Sequence, residues 1–185
     1  MLSILKLRIS KILEPLARIL AEFGLKPNHL TILGLLIGLT ASILISVHLI
    51  FIGAFFVLLS GICDVLDGAM ARTQDMETKF GGYLDSVFDR YVDVFILISL
   101  GIYGVDWLLI ALSLSGALLV SYTRARAEKL IPKCDVGIAE RGERLIILFI
   151  GMITGFIWEA VLIIAILSHI TACHRIVYTY NQVRK

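Results

Sequence analysis

From residue 30 onward the chain is a succession of apolar runs, each about as long as a bilayer is thick, separated by short polar interruptions. A helix crosses the hydrocarbon core of a membrane with about 20 mostly apolar residues. By that measure spans are predicted over residues 30–51, 52–71, 80–103, 107–122, 145–156 and 158–174, the first free of formal charge and the fifth short. Ahead of them, residues 2–23 place Ile9, Ile12, Leu13, Leu16, Ile19 and Leu20 at helical spacing, with Lys6, Arg8, Lys11 and Arg18 as a cationic complement. That pattern predicts a helix lying in the membrane interface rather than a seventh span, with Pro15 breaking or bending it. Gly24, Lys26 and Pro27 punctuate the entry to the first span. The expected fold is all-α and integral to the membrane. A single domain occupies residues 1–185, with an amphipathic juxtamembrane helix over 1–24 and a six-helix bundle over 25–185.

Composition strengthens this reading. The chain is 58% hydrophobic and only 17% charged, with a mean hydropathy of +0.91, against about 45–50% apolar and about 25% charged for soluble domains. A domain of this size cannot bury so much apolar surface in water, which excludes a soluble enzyme and equally a disordered or collagen-like chain. The net charge of +2 is too small to argue for a nucleic-acid partner. Its distribution says more. All 17 Lys and Arg lie in the N-terminal segment, the second and fourth connections and the C-terminus, or within a few turns of them. The opposite connections offer only His48, Asp106 and Glu159. Six spans put every positive segment on one side, which the positive-inside rule makes cytoplasmic. Both termini are therefore expected there, in a multi-pass protein of the cell membrane. Lys6, Arg8 and Lys11 interrupt the first apolar stretch and no small-residue cleavage site follows, so a signal peptide is not expected. Cys63, Cys134 and Cys173 are odd in number and lack a CxxC pair, which predicts free thiols. Gly34 with Gly38, and Gly151 with Gly155, form GxxxG spacings that serve either packing within one bundle or a dimer seam.

Four carboxylates fall where the hydropathy says membrane. Asp64 and Asp67 come late in the second span, Asp85 and Asp89 early in the third. At a helix centre each costs roughly 2.5–3.5 kcal/mol on insertion scales, so uncompensated placement is disfavoured. Residues simply facing water at the interface are the bland alternative, and the spacing argues against it. Asp64 and Asp67 are i,i+3, Asp85 and Asp89 are i,i+4, and each pair shares one helix face. Antiparallel helices joined by a short turn point both pairs at one volume. Four crowded carboxylates repel unless cations intervene, and an oxygen-only set suits Mg²⁺ or Mn²⁺, with room for two ions. Gly68, Gly81 and Gly82 allow a ligand close to the backbone, and Arg72 is a fixed cation able to hold a phosphate.

The pattern Asp64-x2-Asp67-Gly68-x2-Ala71-Arg72-x8-Gly81-x3-Asp85-x3-Asp89 resembles, at all eight fixed positions over 26 residues, the signature of the CDP-alcohol phosphotransferase family. Chance agreement at that density is very improbable. The resemblance implies six transmembrane helices after a juxtamembrane helix, a homodimer, and displacement of CMP from a CDP-linked lipid by an alcohol. It further implies that Asp64, Asp67, Asp85 and Asp89 hold the metals, with Asp89 the general base for the acceptor hydroxyl. Gly68, Ala71, Arg72, Thr78 and Gly81 fall at CDP-binding positions, and Asn28 and Thr31, in Pro27-Asn28-His29-Leu30-Thr31, at a shorter motif whose polar groups also meet the nucleotide.

The acceptor is read from a second cluster. Ser121, Arg124 and Arg126 end the fourth span, and Arg141 and Arg144 open the fifth. Positive-inside anchoring accounts for part of this, but several guanidiniums at one mouth also suit an acceptor carrying its own phosphate. These segments are similar to the acceptor motifs of the family branch that uses inositol phosphate, and Arg175 falls in a third segment like that branch. The implied partners are CDP-diacylglycerol or CDP-archaeol and inositol phosphate. Glycerol 3-phosphate is the rival acceptor. A cation-coupled transporter is the rival of another class, but internal repeats and broken midplane helices are not evident. The DDxxD spacing of prenyl transferases is missing too. His48, His169, His174, Cys63 and Asp93 are expected to be structural.

Overall fold

The computed structural model describes residues 13–184, and all regular structure among them is helical. Residues 13–22 form α1. It is followed by α2 (Pro27–Ser46), α3 (Ile50–Thr73), α4 (Lys79–Tyr103), α5 (Trp107–Ala127), α6 (Arg141–Thr154) and α7 (Ile157–Val183). Each predicted span thus coincides with a helix. Four of them, α2, α3, α5 and α7, are long and apolar enough to cross a membrane. α4 is long but carries Asp85, Asp89, Arg90 and Asp93 in its first two-thirds, and α6 has only 14 residues, about 21 Å at 1.5 Å per residue against a core of about 30 Å.

The chain divides into two compact units, Met1–Ile96 and Leu97–Lys185, with the boundary inside α4. In the first, Ala17 of α1 is fully buried against Leu30, Leu66, Ala69 and Met70, while Leu13, Leu20 and Ala21 flank it. The opposite side of α1 exposes Leu16, Ile19 and then Phe23 beyond its end. One apolar face is spent on the bundle and a second is left outward. Pro15 lies inside the helical stretch; Lys6, Arg8, Ile9, Lys11 and Ile12, on which the interfacial expectation also drew, lie outside the described residues. α2 packs on α3 through small residues, as membrane helices do in place of a hydrophobic drive. A Cβ at Gly34 would stand 3.2 Å from Cys63 Cβ, and one at Gly38 would stand 2.7 and 2.8 Å from the methyls of Val92 on α4. Ser60 Oγ donates to the Gly34 carbonyl at 2.8 Å. This GxxxG face is therefore used inside the chain.

Between α2 and α3 the predicted boundary moves. The apolar run continues through Phe51, yet α2 stops at Ser46 because His48 takes a left-handed φ of 68°, a conformation His adopts more readily than bulky apolar residues.

In the second unit α5 packs on α7. Ser113 Oγ donates to Val161 O at 2.8 Å, and His169 Nε2 lies 3.1 Å from Leu112 O. Gly116 admits Ser168, whose Cβ would be 2.9 Å from an added methyl. Gly155, at φ 83°, ends α6 in the left-handed cap that glycine favours, while Gly151 packs directly on Ala160. Asp106 caps α5 by accepting from Leu109 N at 3.0 Å. α5 runs to Ala127, five residues past its predicted end, so Arg124 and Arg126 occupy its last turn, where cations favour the helix dipole.

Candidate active site

In the first unit α3 and α4 each bring carboxylates to one place. Asp64, Asp67 and Asp85 offer oxygens that all lie within 4.8 Å of one another. Asp67 is buried and the other two are half-buried. Asp89, one turn further along α4, stands outside this compact trio, with an oxygen 3.8 Å from Arg90 Nη1. Arg90 Nη1 also donates to Ser86 O at 2.5 Å. Three ionised carboxylates at this separation repel one another, a repulsion that a cation between them relieves, and their all-oxygen donor set fits a hard divalent cation.

Of the predicted nucleotide residues, Thr31 bonds directly to the trio. Thr31, on α2, donates its hydroxyl to Asp67 Oδ2 at 2.6 Å and lies 3.1 Å from Pro27 O. A hydroxyl carries one proton, and the much shorter contact to a carboxylate takes it. Thr31 therefore orients Asp67, a role the sequence did not reveal. Its neighbour His29 turns back to accept from Lys26 N at 3.3 Å and helps start the helix, with Pro27 at its first turn. Asn28, Thr78 and Gly81 meet. Gly81 N donates to Thr78 Oγ1 at 2.9 Å, so Thr78 caps α4, and a Cβ at Gly81 would fall 2.8 Å from Thr78 Oγ1 and 3.0 Å from Asn28 Oδ1. Only a residue without a side chain lets these two polar groups converge. Gly68 performs the same service for Arg72, whose Nη1 would be 3.1 Å from an added Cβ. Ala71 closes the turn after α3, its carbonyl accepting from Met76 N at 2.9 Å.

The predicted acceptor residues all lie in the second unit, and the structure sorts them by burial. Arg175 is 2% exposed; Nε donates to Val136 O at 2.8 Å, Nη1 to Val120 O at 2.5 Å, and Nη2 reaches Glu140 Oε1 at 3.5 Å. Arg144 is also buried and donates to Ala139 O at 2.9 Å. Both tie down the connection between α5 and α6, which Thr171 Oγ1 also holds by accepting from Ile138 N and Ala139 N at 3.2 and 3.1 Å. These two guanidiniums are committed to the loop, where the sequence suggested groups open to a ligand. Ser121 and Arg141 are half-buried and Arg126 is exposed.

Arg124 stands at the centre of an ion cluster. Nε donates to Glu128 at 3.0 Å, Nη2 to Asp135 Oδ1 at 2.9 Å, and Nη1 lies 3.6 Å from the same Glu140 oxygen that Arg175 touches. Arg124 and Arg175 therefore do converge. Lys133 grips the other oxygen of Asp135, and this hydrogen bond, with the charge of Arg124 behind it, holds the Asp135 carboxyl below its ordinary pKa. Glu128 lies one turn from Arg124 on the same helix, a pairing the expected end of that span near Tyr122 did not anticipate. Asp135 and Glu140 could not be paired with it from the sequence either, because a loop without regular structure separates them from Arg124.

Comparison with known proteins meets this geometry from outside. The family model described as CDP-alcohol phosphatidyltransferase matches residues 25–178. An archaetidylinositol phosphate synthase from Pyrococcus horikoshii is 40% identical over 178 residues, covering 95% of each chain. The crystal structure of Mycobacterium tuberculosis phosphatidylinositol phosphate synthase with CDP-DAG bound superposes with a TM-score of 0.81 at 32% identity, covering 92% of this chain and 94% of that one. The same protein in complex with manganese and citrate gives 0.79 at 32% identity, covering 90% and 88%. A trio of carboxylates inside the motif, in a chain with four helices long and apolar enough to cross a membrane, agrees with the match along most of the sequence: the chain belongs to the CDP-alcohol phosphatidyltransferase family.

Proposed function

We propose that this protein transfers a phosphatidyl-type group from CDP-diacylglycerol or CDP-archaeol to a hydroxyl of inositol phosphate, releasing CMP. The observation that carries the reading is the convergence of Asp64, Asp67 and Asp85 from two helices within 4.8 Å, in a chain similar to an archaetidylinositol phosphate synthase and to a phosphatidylinositol phosphate synthase with CDP-DAG bound. The reaction forms a bond from the acceptor oxygen to the lipid-side phosphorus and breaks the bond from that phosphorus to the CMP oxygen.

Asp64, Asp67 and Asp85, with Asp89, hold Mg²⁺ or Mn²⁺, two ions in this reading, whose charge neutralises the donor's diphosphate and stabilises the departing phosphate. Thr31 keeps Asp67 oriented for that task. Asn28, Thr78, Gly81, Gly68, Ala71 and Arg72 form the donor side, with Arg72 supplying a fixed positive charge to the diphosphate. Asp89, outside the compact trio, is the base that takes the acceptor's proton. Its carboxylate, partly exposed beside Arg90, is open to a hydroxyl, as base work needs a carboxylate within hydrogen-bond reach of the proton it takes. Ser121, Arg124, Arg126, Arg141, Arg144 and Arg175 form the acceptor side. Arg124 makes the direct phosphate contact, and the buried Arg144 and Arg175 hold the loop that frames it.

The topology in this reading is six spans, with α4 and α6 crossing as well and α1 lying in the interface. The two-faced character of α1 supports its place in the interface, and the distribution of Lys and Arg favours six spans with the termini and the site on the cytoplasmic side. A homodimer would draw its seam from faces other than the one at Gly34 and Gly38.

Release of CMP from a CDP-lipid in detergent with Mg²⁺ or Mn²⁺, assayed with inositol phosphate, glycerol 3-phosphate, serine and free inositol side by side, tests the whole reading. Inositol phosphate is expected to be used best. Asp89→Asn is expected to abolish turnover while nucleotide still binds; full activity in that variant removes the base assignment, and activity with serine alone removes the acceptor assignment.

A further inference from the structure

We propose that Asp135 is a specificity-determining residue for the acceptor: it occupies the face of Arg124 that a phosphate would take and yields it only to a ligand of higher charge. The inference rests on the reading of Arg124 as an acceptor-phosphate group. The cluster around Arg124 is electrically balanced, with Arg124, Lys133 and Arg175 facing Glu128, Asp135 and Glu140. Each nitrogen of the Arg124 guanidinium already has a carboxylate oxygen within 3.6 Å. An incoming anion therefore replaces a carboxylate; it does not fill a vacant site.

Of the three acids, Asp135 is the one built to leave. Glu128 sits one turn along the same helix, and Glu140 is shared with the buried Arg175. Asp135 has the most exposed side chain of the three, at 45%, and an exposed pair is weak. Lys133 holds its second oxygen, so a displaced Asp135 still has a cation. The loop that carries it is bonded just after Asp135, by Arg175 at Val136, Thr171 at Ile138 and Ala139, and Arg144 at Ala139, and just before it Ile131 and Cys134 are buried in a small core with Ala127. The exchange is thus a side-chain movement within a fixed frame.

Chemistry then selects the ligand. A carboxylate-bearing acceptor replaces like with like and gains nothing. A neutral polyol offers no charge to replace Asp135. A phosphomonoester brings close to two charges and three oxygens, enough to take the Arg124 fork from a single carboxylate. Because Arg124 is competent only when Asp135 is off it, the apparent affinity is the intrinsic one reduced by the open fraction.

The test uses the full-length protein in detergent, with inositol phosphate as acceptor and inorganic phosphate as its competitor. Asp135→Asn is expected to lower both the acceptor KM and the inhibition constant of phosphate by about two- to fivefold, the scale of one exposed ion pair. The KM for CDP-lipid and the melting temperature should stay at wild-type values, and Asp135→Glu should behave as wild type. A KM that is unchanged or raised in Asp135→Asn overturns the proposal, a rise meaning that Asp135 positions Arg124 instead of competing for it. Arg124→Gln separates the two levels. If it leaves the acceptor KM unchanged, the assignment of Arg124 itself fails. If it raises KM while Asp135→Asn does nothing, only the competition by Asp135 fails.

Discussion

Removing the Thr31 hydroxyl should weaken metal binding without disturbing the fold. Thr31→Val keeps the shape of the side chain on α2 and deletes only the donor that lies 2.6 Å from Asp67 Oδ2. Both residues are buried, at 7% and 5% exposure, so water does not readily replace the lost partner. A hydrogen bond to a charged group contributes about 1.5–3 kcal/mol, and at about 1.4 kcal/mol per tenfold that corresponds to one to two decades. Loss of a group that orients a metal ligand has the same typical effect, about 10–100-fold in affinity or activity. The sign follows from lone-pair arithmetic. A carboxylate accepts at about four positions, so Thr31 occupies one and leaves the rest for a cation. The hydroxyl steadies Asp67 without competing with the ion.

The measurement is CMP release as a function of Mn²⁺ concentration, with both substrates saturating, backed by calorimetric titration of Mn²⁺ into the nucleotide-bound protein. Thr31→Val is expected to raise the half-saturating Mn²⁺ at least tenfold with the maximal rate reduced much less, while Thr31→Ser restores the wild-type curve. A Thr31→Val protein with the wild-type Mn²⁺ requirement would refute the argument. If that protein instead lost affinity for the CDP-lipid, Thr31 would return to the nucleotide-contacting role that its sequence motif suggested.

Other substitutions test separate contacts. Gly81→Ala places a methyl 2.8 Å from Thr78 Oγ1 and 3.0 Å from Asn28 Oδ1, and is expected to raise the KM for CDP-lipid while the acceptor KM holds; equal effects on both would contradict a donor-side role. Gly38→Ala drives a methyl to 2.7 Å from Val92, an overpacking that costs about 1–3 kcal/mol, read as a lower melting temperature that Val92→Ala on the same chain recovers. Arg175→Met leaves the carbonyls of Val120 and Val136 without their buried donor, at about 1–3 kcal/mol for each unsatisfied group. A clear fall in thermal stability is expected there and none for the exposed Arg126→Gln; equal stability in the two would remove the strut assignment.

What could be read from the sequence, and what could not, divides along physical lines. Hydropathy located every long helix because burial in lipid is a property of composition over about 20 residues. It misplaced ends because it measures membrane, whereas helices continue wherever hydrogen bonding and propensity allow. α5 runs on through Arg124, Ala125, Arg126 and Ala127, good helix formers that are too polar for a hydropathy count. α2 stops inside an apolar run because one residue, His48, turns left-handed. The acid trio was legible since i,i+3 spacing on a helix fixes a shared face, and a short turn between α3 and α4 leaves little freedom in how two such faces meet. Thr31 and Asp67 are 36 positions apart, and their bond depends on how α2 leans on α3, which Gly34 and Gly38 decide through contacts that a spacing rule does not specify. Asp135 is harder still. Its position on Arg124 is set by buried and half-buried bonds between Arg175, Thr171 and Arg144 and a loop without regular structure. The positive charges at this mouth could be counted from the sequence, but whether they are available to a ligand depends on which acids the loop delivers to them. The folded cluster holds as many acids as bases, so an arginine-rich segment is by itself no measure of anion affinity, and discrimination among acceptors is decided by what the arginine must release.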